Sequence, residues 1–481
     1  MNNTNNDITI GGKWKILGKQ YSGDLTFNKT NGIIILSIYY KDNEGFIDLM
    51  NKPTDITIIT GKLNQEINCT LVDCRIIKRH SNSFVRHHMV IKADTMFINI
   101  SNKEKTDIKF NEVHFRIPNI IKWSQLSGFE YMKDPSYHFK IGYKFKNSIS
   151  EKINDNTTIE FVPVFGKFNF DMQVEELDIS QHVEIRIKKK EATPFEDFFE
   201  DFDIVVNLIT LAIGLKVNVS LVQGVNYNNS TSKANKKNNI KYEIIKNTIN
   251  NTSTNNPDKI ESIRNYLFYL PEFAYAGKLK IWFDTYKDYK NIYNLYNLGI
   301  NTHVSDEIKF CNLMQALELI HLKKYKKTDK FFKHIEEKFK DNKEIINLIE
   351  KNPDQVNNDK YIILKNRIID IFINDFNLTN KENLIEKIDK ISTIFSDTRN
   401  YYTHYDDAKK DKCLVGKNLK YGIYILDYLV SNYILQNLNF NMDEINSKKD
   451  YVLNNIHNEK MIDKIIKNER IKLWNKQIMK L

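Results

Sequence analysis

The spacing of apolar residues changes along the chain, and that change limits the fold more than any other feature. From residue 8 to about 190, apolar and polar residues alternate in short runs broken by turn residues, as strands with one buried face require. From about 303 to 440 they recur at helical spacing, in short helices joined by short links. Strands first and helices afterwards give an α+β multidomain protein: an N-terminal β-rich domain, sandwich or open barrel, followed by an all-α helical bundle. A chain of 481 residues has room for two or three such domains, each with its own core.

Within the β-rich part, Asn31-Gly32 can take positive φ between Leu25-Thr26-Phe27 and Ile33-Ile34-Ile35-Leu36, which predicts a hairpin. Residues 84–100, 108–117 and 137–145 read as further strands, and 183–188 alternates strictly, predicting a strand with one wet face. Thr193-Pro194-Phe195-Glu196 predicts a helix start, with Thr193 as cap, Pro194 in the first turn and Glu196 completing a capping box. The acidic residues Glu196, Asp197, Glu200 and Asp201 suit the positive end of that helix, and Gly214 is its expected stop. Its apolar stretch, 204–215, is too short to span a bilayer and contains Asn207 and Thr210, so it reads as a buried helix.

The expected domains are therefore 1–225, β-rich and ending in that helix; 226–302, a connecting region; 303–440, the bundle; and 441–481, a charged helical tail. The connecting region is rich in Asn, Ser, Thr and Lys around one strand at 242–245, then turns helical at 260–270 and 281–298. Tyr286, Tyr289, Tyr293 and Tyr296 lie at helical spacing there and read as packing residues rather than a base-stacking platform. Bundle helices are expected at 306–325, 328–340, 342–351, 360–374, 381–404 and 416–438, and tail helices at 445–457 and 461–474.

Composition excludes some functions and permits others. Hydrophobic residues at 41% and charged residues at 27% are ordinary for soluble globular protein. The formal charge of +10 permits an anionic partner such as RNA without specifying one, because the Lys residues are spread through the chain. The four Cys, at 69, 74, 311 and 413, are too scattered for a disulfide scaffold and fit a reducing cytoplasm. Cys69, Cys74, His80 and His87 or His88 lack paired C-x-x-C spacing and fall in alternating sequence, so no metal is expected there. The polar N-terminus carries no signal-peptide core, and the protein is expected in the cytoplasm without a membrane partner. Nucleotide triphosphatase, zinc protease and Ser-hydrolase readings lack G-x-x-x-x-G-K-[ST], H-E-x-x-H and G-x-S-x-G.

One stretch specifies chemistry: Thr398-Arg399-Asn400-Tyr401-Tyr402-Thr403-His404, at the end of the helix expected over 381–404. At about 100° per residue His404 lies about 140° around from Arg399, a gap that a long Arg can close, and Asn400 lies directly under the His. A planar guanidinium fork, an amide and a titratable imidazole at one helix end suit a phosphodiester. The basic residues comprise 9 Arg against 62 Lys, so an Arg here suggests a need for the fork. The same residues also fit a helix end at which Arg and His simply pair with Asp397, Asp406 or Asp407. Arg75 and His80 repeat the interval inside a strand, and Arg264-Asn265-Tyr266 repeats the start without the His.

Arg399-Asn400 with His404 resembles the Arg, polar residue, then His signature of HEPN ribonucleases, and its surroundings resemble the ApeA-like HEPN family of anti-phage proteins. The segment 313–321, with Ala316-Leu317-Glu318, is similar to that family's first HEPN helix. Gly12-Lys13-Trp14 and Gly23-Asp24-Leu25-Thr26-Phe27 look like the start of its N-terminal domain. The resemblance implies a metal-independent RNA endonuclease acting in abortive infection, without a cofactor. Arg399 and His404 would be catalytic, with Asn400 and Glu318 supporting; read alone, Glu318 is equally a solvated helix residue. The resemblance also implies a homodimer through the bundle, host or phage RNA (tRNA included) as substrate, and a β domain that restrains the nuclease or senses a phage-derived trigger. Two other readings stand beside it: a non-catalytic HEPN interaction protein with a ligand-binding β domain, and a HEPN toxin held by a separate antitoxin.

Overall fold

The computed structural model describes residues 7–28, 32–40, 54–64, 66–82, 86–102, 104–133, 139–168, 179–227, 239–246, 266–300, 304–325, 328–338, 346, 355–356, 359–360, 363–375, 384–405, 407–441, 443–445 and 460–468. The chain forms two compact units, residues 1–209 with 216–280, and 210–215 with 281–481.

The first unit opens with β1 (Asp7–Ile16), β2 (Lys19–Asn28), β3 (Ile34–Tyr40), β4 (Asp55–Leu63), β5 (Asn68–Asn82) and β6 (Arg86–Ile98). They pair in the order β6-β3-β2-β1-β4-β5, and β5 pairs back onto β6, so these six strands close into a barrel. Closure follows from strand length: β5 runs 15 residues and β6 13, enough for β5 to serve both β4 and β6. The hairpin expected around Asn31-Gly32 joins β2 to β3, with Leu25 opposite Leu36 and Phe27 opposite Ile34. Gly32 takes φ +68°, while Asn31 lies outside the described residues. Trp14 is fully buried in the barrel and donates from Nε1 to the Gly23 carbonyl at 3.2 Å. Gly61 sits opposite it, where a Cβ would come within 2.2 Å of the indole, so no other residue fits. Cys69 and Cys74 belong to this core, and burial pushes both thiols up. His88 instead stacks on Tyr39 at 4.9 Å, and the side chains of His80 and His87 lie outside the description.

Further strands are β7 (Lys109–Arg116), a separate hairpin of β8 (Phe129–Lys133) and β9 (Phe139–Tyr143), β10 (Ile149–Lys152), β11 (Thr157–Phe168), β12 (Ile179–Pro194), β13 (Leu221–Tyr227) and β14 (Asn239–Lys246). From β6 the sheet continues as β14-β13-β7-β12-β11-β10. In β12, Val183, Ile185 and Ile187 are buried as the alternation demands, but the opposite face is not simply wet. It carries a charge ladder around His114, whose Nε2 is 2.6 Å from Glu112 and whose Nδ1 is 3.0 Å from Glu184. Arg186 then reaches Glu184 at 2.6 Å and Lys188 reaches Glu160 at 2.7 Å.

The helix start expected at Thr193 is displaced. β12 continues through Pro194, pairing Thr193 with Phe110 and Pro194 with Lys109; a 3-10 turn, Phe195–Phe198, follows, and the helix proper runs later. The ladder partners that β7 offers outweigh the local capping signal. Thr193 Oγ1 is buried without a hydrogen bond, and Glu196 pairs with Lys105 at 3.1 Å. With the short α1 (Ile121–Ser124) counted first, this buried helix is α2 (Phe199–Ile213), and it stops at Gly214, φ +74°. A short α3 (Leu270–Ala274) completes the unit; most of the helix expected over 260–270 lies outside the described residues.

The second unit is helical: α4 (Lys278–Ile300), α5 (Asp306–Lys324), α6 (Thr328–Lys338), α7 (Leu364–Asp375), α8 (Leu384–His404) and α9 (Gly416–Asn437). Five of the six expected bundle helices are among them; the helix at 342–351 lies outside the description apart from residue 346. So does the tail, except 441, 443–445 and the helical 460–468. Phe395 of α8 meets Phe310 of α5 at 5.4 Å and Phe372 of α7 at 6.0 Å, locking the three helices together. Tyr286, Tyr293 and Tyr296 are buried, as packing residues should be. No described helix is long and apolar enough to cross a membrane.

Candidate active site

The site is built on the last turns of α8. Ile388, Ile391 and Phe395 bury one face of this helix, which fixes its rotation. Thr398, fully buried, donates from Oγ1 to the Ile394 carbonyl at 2.6 Å and accepts the Leu414 N–H at 2.9 Å. Tyr402 donates to the Leu414 carbonyl at 2.7 Å. Both backbone polar groups of Leu414, beyond the helix, are thus held by Thr398 and Tyr402 on either side of Arg399, and the helix ends at Tyr405 in the left-handed region, φ +52°.

Arg399 and His404 come together at that end. Arg399 Nη1 stands 3.5 Å from His404 Nε2 and 3.3 Å from Asn400 Oδ1, so the long side chain closes the angular gap set by the helical period. His404 is exposed. Arg399 is largely covered, its side chain 19% exposed, and its Nε is buried without a hydrogen-bond partner. Glu318, from α5, places Oε1 3.6 Å from Arg399 Nη2. All four residues singled out in the sequence therefore converge. Asp397 does not pair with Arg399; it takes Lys409 at 3.1 Å, and Asp406 lies outside the described residues. Of the two repeats of the spacing, Arg75 is engaged by Asp55 at 2.9 Å, and Arg264 is outside the description.

Three neighbours escaped the sequence reading. Cys311, on α5, adjoins Thr403 and Arg399; burial raises its thiol pKa, and those two neighbours oppose the rise. Arg367, on α7, lies in the field of Glu318; burial lowers its pKa and Glu318 counters that. His321 is buried 3.6 Å from Asp370, and its pKa falls to about 3 through burial first and the charges of Arg367 and Lys324 second. A sequence signal for Arg367 did exist, since residues 303–440 contain only two Arg, Arg367 and Arg399.

Comparison with known families now adds to this geometry. Residues 9–305 match the ApeA N-terminal domain 1, and residues 311–444 match the Apea-like HEPN domain. The chain belongs to the ApeA-like HEPN family. Arg399, Asn400, His404, Glu318 and Arg367 all fall inside its HEPN segment, and the barrel lies inside its N-terminal segment. HEPN domains are generally ribonucleases, so this ApeA-like protein is of a nuclease kind. No curated protein and no solved structure matches the chain.

Proposed function

We propose that this ApeA-like HEPN protein is a metal-independent RNA endonuclease of anti-phage defence, with Arg399 and His404 as its catalytic pair. The observation that supports the reading best is the approach of Arg399 to His404, 3.5 Å, at a solvent-facing helix end. The guanidinium fork holds two oxygens of the scissile phosphate and offsets the charge that builds on them in the transition state. The His404 imidazole takes the proton of the attacking 2′-OH or gives one to the departing 5′-oxygen. Attack by the RNA's own 2′-OH forms the new P–O bond as the bond to the 5′-oxygen breaks, leaving a 2′,3′-cyclic phosphate and a 5′-OH. Asn400 and Glu318 steady the Arg399 fork. The β-rich unit senses infection or restrains the nuclease, and two copies pair through the helical unit.

The test is cleavage of a mixed RNA pool by the full chain, with end-group analysis and with EDTA present or absent. Cyclic phosphate and 5′-OH ends, unaffected by EDTA and missing from DNA controls, are expected. Products with 5′-phosphate that vanish on adding EDTA overturn the mechanism.

A further inference from the structure

An aromatic strip lies beside the Arg399–His404 pair. Asn400 and His404 are four residues apart and share one line of the α8 surface, and Tyr401 lies on the line next to it. Tyr402, fixed by its hydrogen bond to the Leu414 carbonyl, meets Tyr401 edge-on with ring centroids 5.2 Å apart, and Tyr401 meets Tyr405 edge-on at 6.2 Å. The series ends in solvent, because Tyr405, directly after His404, is 75% exposed. Its backbone is a poor match for its side chain: at φ +52° it occupies the left-handed position where Gly or Asn ordinarily closes a helix and a bulky residue is strained. Its N–H is nevertheless held to the Tyr401 carbonyl at 2.6 Å. A strained, solvent-facing ring thus stands where Gly would fit the backbone better, next to the groups that suit a phosphate.

We propose that Tyr405 is a substrate-binding residue that stacks one of the two nucleobases flanking the scissile phosphate. A phosphate held by Arg399 and His404 brings its neighbouring nucleosides alongside Tyr405, whose Cα lies about 3.8 Å from that of His404. Every base offers an aromatic face, so a ring at this point orders the strand without strongly selecting its sequence. The edge of Tyr401 against the Tyr405 ring limits the ring's freedom before the strand arrives. The ligand, an RNA strand, rests on the ribonuclease reading; the mismatch between an exposed ring and a left-handed backbone does not. A second copy of the chain packed on the ring is the competing occupant, and the experiment separates the two.

The experiment uses the full chain as wild type, Tyr405→Gly, Tyr405→Phe and Tyr405→Leu, with one single-stranded RNA that the wild type cuts. Tyr405→Gly should raise KM about tenfold with little change in kcat, the loss expected of one base–aromatic stack. Tyr405→Phe keeps the aromatic face and should stay near wild type, whereas Tyr405→Leu should resemble Tyr405→Gly. A ring kept only for packing would behave differently. Gly suits the left-handed position, so Tyr405→Gly should melt no lower than wild type. An unchanged KM in Tyr405→Gly, a Tyr405→Phe as impaired as Tyr405→Gly, or a melting temperature that falls together with the rise in KM overturns the proposal.

A second arm reads binding without cleavage, by fluorescence anisotropy. The same strand with deoxyribose at the cut has no 2′-OH to attack, and an abasic site on either flank removes the stacking partner. Loss of one flanking base should weaken binding to wild type about tenfold and leave binding to Tyr405→Gly unchanged. A loss absent from wild type, or equal in both proteins, overturns the inference. Light scattering at the assay concentration should give wild type and Tyr405→Gly the same mass; a variant that falls to a smaller species assigns the ring to a contact between copies instead. If the wild type cuts no RNA, the ribonuclease reading falls and the stacking role with it. If the wild type cuts and Tyr405→Gly matches its KM, the stacking role alone falls.

Discussion

Arg399 and His404 should fail differently when replaced, because a guanidinium holds an anion and an imidazole moves a proton. Arg399→Lys keeps the charge but loses the fork, so RNA binding should persist while cleavage slows severely. His404→Ala removes the proton carrier and should cost about 10²- to 10⁴-fold in cleavage rate. His404 is exposed and Arg399 sits at a helix end, so both variants should keep the wild-type circular dichroism spectrum. Undiminished cutting by folded His404→Ala would make the motif structural. These residues were legible in the sequence because a helical period fixes their angles and Arg is rare in this chain. Arg367 shares that rarity, but its place in the field of Glu318 depends on how α7 packs against α5, which no local pattern encodes.

Between elements, two buried histidines should give the two units opposite pH responses. Across β7 and β12, burial pushes His114 down, but the hydrogen bond to Glu112 and the adjacent Glu184 carboxylate outweigh it and raise its pKa above the ordinary value. Its stabilisation is therefore complete below about pH 6.5 and is lost as pH rises through the raised value. Between α5 and α7, His321 is held neutral with a pKa of about 3. Its contribution is complete above about pH 6.5, declines as the unfolded chain takes up a proton, and is lost as pH falls through about 3. Thermal unfolding from pH 5 to 8 should show His114→Gln destabilising most at the acid end. His321→Leu, lacking the titrating group, should flatten the acid-side decline; a pH profile unchanged by either variant would contradict these assignments. Sequence alternation located the buried side of β12 but not the His114 ladder, since burial of the other face depends on which charged residues β7 and β11 bring alongside. The helix start at Thr193 was misread for the same kind of reason, a cross-strand partnership overriding a local cap.

For the whole molecule, the strand-then-helix order was readable, whereas barrel closure was not, because it depends on β5 being long enough to pair on both sides. The oligomeric state proposed for the nuclease rests on chemistry rather than on either pattern. Transesterification takes a proton from the 2′-OH and delivers one to the departing 5′-oxygen, which favours two proton carriers on opposite sides of the phosphate. Each chain offers His404 alone at the motif; among the other described histidines of α5 to α8, His321 is buried and held neutral, and His334 packs on Tyr325. On the proposed mechanism a second copy would supply the missing imidazole, so the cutting species should be a homodimer whose groove joins two Arg399–His404 sets, as the pairing of motifs in HEPN enzymes implies. Light scattering on the full chain should give twice the mass of 56.9 kDa, and cleavage per protomer should fall on dilution below the dimer's dissociation constant. Mixing wild type with an excess of His404→Ala should poison activity by forming one-imidazole dimers. A strict monomer cutting at a rate per protomer independent of concentration would remove the need for the second copy and return both proton transfers to His404.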